Sequence, residues 1–254
     1  MFDCKALLLD ISGVLYDAAG LIPGALEVVA EARDRGLCLR LVTNTASKSA
    51  RQIRQDLAAL GIKIDPDELF TAPSAARQYI ENNQLRPFVL LSGPVLSEFD
   101  AVEQANPNCV LLGDARDDLN YQNLNKAFRL SIAGAPLIAV GMNRYFQGEQ
   151  GLQLDAGGFV KAIEWAANCT ALVMGKPSQD FYQQVVLSTG YDANECLMVG
   201  DDVESDVMGA LDSGLLTCLV QTGKYQSGDE ERVRDHASVQ GRAKVISSIA
   251  SLFD

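Results

Sequence analysis

Asp10 closes an apolar run, Lys5-Ala6-Leu7-Leu8-Leu9-Asp10, and opens a tight turn, Ile11-Ser12-Gly13. Three later apolar runs end in the same manner. Leu41-Val42 leads into Thr43-Asn44, Val173-Met174-Gly175 into Lys176-Pro177, and Cys196-Leu197-Met198-Val199-Gly200 into Asp201-Asp202. In a parallel α/β sheet, strand ends of one sense lie along one edge, and ligands bind there. A nucleophilic carboxylate, a hydroxyl and amide pair, an ammonium group and a metal-binding acid can meet at such an edge. Those are the parts needed for phosphoryl transfer through an aspartyl-phosphate.

Each group alone has an ordinary explanation. An Asp after a strand often only shapes the turn, Thr43 and Asn44 are common loop caps, and a lone Lys is usually solvated. The acidic run Asp201-Asp202-Val203-Glu204-Ser205-Asp206 is harder to explain away. Acids are favoured in the first turn of a helix, which accounts for one or two of these four. Carboxylates this crowded repel one another, and a cation resolves the repulsion. Oxygen-only ligands favour Mg²⁺. The i, i+4 spacing places Asp202 and Asp206 on one helix face, with Asp201 left at the strand end.

The elements that must position these groups alternate strand with helix, so the sheets should be largely parallel. Strands are expected over 5–10, 37–42, 88–91, 109–112, 137–140, 171–174, 196–199 and 215–220. Pro23 suits a helix first turn, with Leu26, Val29 and Ala30 as its apolar stripe and Gly36 as its end. Ser47 is the expected N-cap of a helix over 48–60, and another helix should span 74–83. Leu124, Phe128 and Ile132 mark a further helix, as do Phe159, Ile163 and Ala166. Val203, Val207 and Leu211 give the i, i+4, i+8 stripe of a helix ending at Gly214, and a last helix is expected near 245–252. The middle of the chain carries none of the four polar strand ends. The expectation is therefore a core from residues 1–80 and 171–254, with an inserted α/β domain at 81–170.

Composition removes many other readings. The chain has 254 residues, 48% of them hydrophobic, and a formal charge of −12. Such a surface repels nucleic acid and anionic membranes. It also repels phosphate, so a phosphate site here needs local positive charge. No apolar run approaches the roughly 18 residues of a membrane span, and the N-terminus has no signal-peptide pattern. The six cysteines are scattered without a C-x-x-C pair, which fits reduced core residues of a cytoplasmic protein and gives no zinc spacing. The one histidine, His236, lies in a polar stretch without catalytic context, so a Ser-His-Asp or Cys-His mechanism is not expected.

In their order and contexts the four motifs resemble those of the haloacid dehalogenase superfamily of phosphohydrolases, in its capped subfamily IIA. The matching residues are Asp10-Ile11-Ser12-Gly13-Val14-Leu15, Thr43-Asn44, Gly175-Lys176-Pro177, and Gly200-Asp201-Asp202 with Asp206. The resemblance covers essentially the whole chain. It extends to Asn106-Pro107-Asn108-Cys109-Val110, Tyr121-Gln122-Asn123-Leu124-Asn125 and Gln221-Thr222-Gly223-Lys224-Tyr225, which point to the branch acting on pyrophosphate and on P–N bonds. It implies a Rossmann-like, doubly wound parallel core with an inserted α/β cap that selects the leaving group. It implies that Asp10 is the nucleophile and that Asp10, Asp201 and the backbone carbonyl of Ser12 hold Mg²⁺. It also implies that Thr43, Asn44, Lys176 and the Ser12 turn bind the phosphoryl group, with Asp202 and Asp206 supporting the metal. The implied partner is a small phosphorylated substrate, and relatives are often homodimers.

One position departs from the family pattern. Most phosphatases of the superfamily carry a second Asp two residues after the nucleophile, as general acid and base. Here that residue is Ser12, and a hydroxyl is poor at both tasks near neutral pH. Phosphate leaving pyrophosphate is a weak base, and P–N bonds are intrinsically labile. The expected substrates are therefore pyrophosphate or phosphoramidates. Two other readings stand beside this one: a monoesterase for a sugar or nucleotide phosphate, and a non-catalytic phosphate-binding module in which Ser12 marks lost catalysis.

Overall fold

The computed structural model describes every residue except Met1, Ser47, Glu149, Gln150, Gln240 and Asp254. The expected Ser47 cap therefore lies outside the described residues. The chain divides into two compact units. One comprises Met1–Thr43, Arg51–Phe70 and Lys176–Asp254, and the other Asn44–Ala50 and Thr71–Gly175.

The first unit is built on a six-stranded sheet in the order Ala243–Ile246, Leu216–Val220, Cys196–Gly200, Ala6–Asp10, Cys38–Thr43, Leu69–Thr71. Ala6–Asp10 runs parallel to both neighbours, with Leu9 opposite Val199 on one side and Asp10 opposite Val42 on the other. All five residues of Ala6–Asp10 and of Cys196–Gly200 are buried. Strands covered on both faces read as continuous apolar runs instead of alternating ones, and the sequence shows that pattern. Leu7, Leu8 and Leu9 are fully buried, each worth roughly 1.5–3 kcal/mol of transfer free energy. The register brings the C-terminal ends of the central strands level. Asp10, Thr43 and Asp201 therefore leave the sheet on the same side.

The second unit has its own parallel sheet, ordered Leu172–Val173, Leu137–Ala139, Cys109–Leu112, Pro87–Leu90. Helices Tyr121–Ile132 and Ala156–Ala167 bury Ala127, Val160 and Ile163 with Val110 and Leu112 of the sheet. The 81–170 segment falls inside this unit, which also takes in 44–50, 71–80 and 171–175. Both sheets are parallel and carry helices, so the α/β class expected from the alternation and the doubly wound core implied by the resemblance hold.

Several local expectations need correction. No helix spans 245–252. Ala243–Ile246 is an edge strand parallel to Leu216–Val220, followed by a short 3₁₀ turn at Ile249–Ser251. Four apolar-rich residues suit either element, and the open edge of the sheet decides for strand. The polar stretch before it holds a helix, Asp229–Asp235, entered through Gly228 in the left-handed region. The stripe Val203, Val207, Leu211 is buried as expected. However, Val203–Met208 winds as a π-helix and only Gly209–Asp212 is α. Leu26 and Ile132 are exposed; their helices bury Ala25, Val28, Val29 and Ala32, and Ala127 and Ser131. Among the described residues no helix is long and apolar enough to cross a membrane. All six cysteines are free thiols.

Candidate active site

Lys176 joins the end of a central strand to a turn of the π-helix in the first unit. Its Nζ donates to Asp10 Oδ1 at 2.5 Å and to Asp206 Oδ1 at 2.6 Å, and all three residues are buried. The sequence arranges this locally. Ser178 caps helix Gln179–Thr189 by accepting from the Asp180 N–H, so Lys176 precedes a fixed helix start. Gly209 lets the following helix lie directly on Pro177, where a Cβ would sit 2.7 Å from the Pro177 Cα and carbonyl oxygen. Asp206 is carried inward by the π-turn. Its backbone N–H donates to the Asp202 carbonyl and its Oδ2 accepts from the Asp202 N–H. Gly200 makes room, since a Cβ there would lie 2.1 Å from the Asp206 Cβ. The fully buried Tyr182 donates its hydroxyl to the carbonyls of Ser205 and Asp206, at 2.8 and 3.2 Å. It thereby holds the turn from behind. Single π-turns inside helices recur at functional sites.

Asp201 is held differently. Its Oδ2 accepts from the Lys224 backbone N–H at 2.7 Å, while its buried Oδ1 has no protein partner. Gly13 and Gly223, both with positive φ, flank this carboxylate. The Thr222 hydroxyl donates to the Gly13 carbonyl and ties the 221–225 loop to the turn after Asp10. Asp10, Asp201 and Asp206 offer carboxylate oxygens within 4.8 Å of one another. The cluster fits a hard divalent cation. A buried carboxylate oxygen without a donor is costly, and three acids within this distance exceed what one ammonium neutralises.

The electrostatics follow from burial. Desolvation pushes the Asp10 and Asp201 carboxyls above the usual carboxylate range, against the Lys176 charge at Asp10 and the Lys224 N–H at Asp201. Asp206 rises to about 6 for the same reason, opposed by Lys176. Burial alone would lower the Lys176 ammonium, but Asp10 and Asp206 outweigh it and hold the group charged, above its ordinary value. Asp202 behaves oppositely. Burial would raise it, but the N–H groups of Ser205 and Glu204 and the Lys224 ammonium bring it below the usual range.

The geometry gathers Asp10, Lys176, Asp201 and Asp206 in one unit. Thr43 is buried at the end of its strand, and Ser12 is exposed in the turn closed by the Gly13 N–H on the Tyr16 carbonyl. Asn44 belongs to the second unit, where its side chain lies against Gly175. Asp202 does not share a face with Asp206. It caps the π-turn and pairs with Lys224 instead, because a residue in cap geometry turns its side chain back over the helix start. The Thr222-Gly223-Lys224 contribution is carried in the sequence only by the resemblance motif Gln221-Thr222-Gly223-Lys224-Tyr225, with no role assigned to it there.

Residues 7–104 match the family model for haloacid dehalogenase-like hydrolases, and residues 173–252 match a second one described as HAD-hydrolase-like. The human haloacid dehalogenase-like hydrolase domain-containing protein 2 is 41% identical over 229 residues, which cover 90% of this chain and 88% of that protein. This chain belongs to the haloacid dehalogenase-like hydrolases. The hydrolase is also 37% identical over 258 residues to a phospholysine phosphohistidine inorganic pyrophosphate phosphatase of Rattus norvegicus, covering 98% and 96% of the two chains. In fold it is similar to a p-nitrophenyl phosphatase from Archaeoglobus fulgidus, with a TM-score of 0.82 at 24% identity over 99% and 98% of the chains. As an enzyme, the hydrolase is a phosphatase.

Proposed function

We propose that this hydrolase is a Mg²⁺-dependent phosphatase of small phosphorylated compounds, favouring pyrophosphate or P–N substrates and working through a phosphorylated Asp10. The observation that carries the reading is the pairing of Lys176-bridged Asp10 with the donorless, buried Oδ1 of Asp201. A carboxylate oxygen of Asp10 attacks phosphorus. A new O–P bond forms as the bond to the leaving group breaks, and the electron pair departs with that group. Water then attacks the same phosphorus, releasing inorganic phosphate and restoring the Asp10 carboxylate. Lys176 opposes the burial that raises Asp10 and, with Thr43 and Asn44, offers donors to phosphoryl oxygens.

Asp10, Asp201 and the Ser12 carbonyl are the residues that would hold Mg²⁺. Asp206 and Asp202 would stand behind them, their oxygens already engaged with Lys176, Lys224 and backbone N–H groups. Bound there, the ion supplies compensation for the charge gathering on the transferring group. Ser12, in the position of the usual acid–base Asp, supports leaving groups that need no proton. The inserted unit is the family's cap and selects the leaving group. The free thiols support a cytoplasmic setting.

A phosphate-release assay tests this reading with pyrophosphate, phospholysine and p-nitrophenyl phosphate, with and without Mg²⁺, on wild type and Asp10→Asn. Release that needs Mg²⁺ and vanishes in Asp10→Asn supports it. Release that survives either change contradicts it.

A further inference from the structure

The turn after the proposed nucleophile closes mostly on itself. The Leu15 and Tyr16 N–H groups donate to the Ile11 carbonyl, and the Gly13 N–H donates to the Tyr16 carbonyl. The Gly13 carbonyl is served from elsewhere. It accepts from the Thr222 hydroxyl at 2.5 Å, across 209 positions of the chain, with Gly13 buried and Thr222 half-buried. Both residues belong to the first unit.

Thr222 also opens a turn. Its carbonyl accepts from the Tyr225 N–H at 3.1 Å, and Gly223 within that turn holds φ at +59°. The turn aims the Lys224 N–H at Asp201 Oδ2, 2.7 Å away. Its two ends are fixed. The Gln221 N–H donates to the Ile246 carbonyl of the edge strand, and Tyr225 packs on the cluster of Val203, Val207 and Leu211. One four-residue turn therefore grips the Asp10 turn through a side chain and Asp201 through the backbone.

Gly13 makes the side-chain grip necessary. A glycine enters positive φ freely and leaves it as freely, so the peptides on either side of it are fixed by what they bond to. Its N–H, in the peptide that carries the Ser12 carbonyl, is held by Tyr16. The next peptide is held by Thr222. A buried carbonyl stripped of its donor is costly and rotates toward another. The two peptides share the Gly13 Cα, so that rotation disturbs the Ser12 carbonyl, one of the groups read above as holding Mg²⁺.

We propose that Thr222 is a positioning residue for the metal site, its hydroxyl setting the placement of the Asp10 turn against Asp201 before a cation binds. This rests on the Mg²⁺ reading above and deepens it. Thr222 acts through the Gly13 carbonyl and is not itself a ligand. Mg²⁺ demands closely fixed oxygen ligands, so a loosened turn costs affinity. Coupling of this kind is reciprocal. Mg²⁺ should in turn slow amide exchange in the 221–225 segment.

The test measures Mg²⁺ binding by titration calorimetry on the full chain as wild type, Thr222→Val and Thr222→Ser. Thr222→Val keeps the shape without the hydroxyl and should weaken binding about tenfold. Thr222→Ser keeps the hydroxyl and should bind as wild type does. Amide exchange of the 221–225 segment, followed by mass spectrometry, should slow on adding Mg²⁺ in wild type and in Thr222→Ser. Equal affinity in all three proteins overturns the proposal, as does an equal loss in both variants. If Thr222→Val does not fold, the exchange measurement decides, and exchange in wild type that ignores Mg²⁺ overturns it. Wild type that binds no Mg²⁺ removes the Mg²⁺ reading, and this proposal with it.

Discussion

Gly13 and Gly223 face each other across the carboxylate of Asp201: a Cβ built on either would lie 2.0 Å from its Oδ2. Their φ values of +87° and +59° put both in the region that glycine alone enters cheaply. Asp201 is thus locked to the turn that follows the nucleophile. Gly13→Ala or Gly223→Ala should displace Asp201 and weaken Mg²⁺ activation by about 10–100-fold, the usual effect of disturbing groups that orient a ligand. Activity titrated against Mg²⁺ measures this. Unchanged half-saturation in both variants would show that Asp201 does not hold the ion.

On the proposed function, protons and a divalent cation compete for the same buried carboxylates. Burial raises Asp206 from 3.8 to about 6 and moves Asp10 and Asp201 the same way. The folded, chelated protein therefore binds these protons more tightly than the unfolded chain. The stability contributed by Asp206 is complete below pH 3.8 and is lost as pH rises through about 6, an effect on the order of 2–3 kcal/mol. A bound ion offsets that loss. The Tm difference between Mg²⁺-loaded and chelated protein should widen from pH 5 to pH 7.5. The acid limb of activity should move to lower pH as Mg²⁺ is raised. A Tm difference flat across that range would count against the cluster as the ion's site.

Tyr182 acts through the backbone of the π-turn. Tyr182→Phe removes donors from the Ser205 and Asp206 carbonyls. It should cost about 1–2 kcal/mol by thermal or urea unfolding. It should also lower kcat several-fold with little change in KM, because Asp206 and its lysine lose their fixed position. Loss of stability with kcat intact would limit Tyr182 to packing.

In the proposed function, Ser12 sets the choice of leaving group. Ser12→Asp supplies the missing acid–base carboxylate, and general acid catalysis contributes about 10²–10⁴-fold where a leaving group needs its proton. The kcat/KM for an alkyl phosphate monoester should rise relative to that for phospholysine. An unchanged ratio would remove the argument that serine restricts the substrate range.

Much of this site was legible in the chain because its chemistry lies at the ends of buried parallel strands. The runs ending at Asp10, Lys176 and Asp201 are apolar without interruption and the one ending at Thr43 is broken only by Arg40, so their terminal polar groups stand out. What was illegible depends on non-local geometry. Asp202 and Asp206 have helical spacing, but Gly200 and Tyr182 let the turn widen into a π-helix, which sends one acid to Lys176 and the other to Lys224. The 221–225 loop grips Asp201 through a backbone N–H and two glycine contacts, and none of these has a side-chain signature. Ala243–Ile246 resembles a helix segment until the free sheet edge beside Leu216–Val220 is known.

The central claim is that Asp10 itself takes the phosphoryl group. Wild-type enzyme turning over phospholysine with Mg²⁺ can be quenched in acid, digested and weighed peptide by peptide. The account predicts the added mass of one phosphoryl group on Asp10, absent in Asp10→Asn. A turnover-competent sample with no phosphorylated peptide, or with the group on another residue, would contradict it.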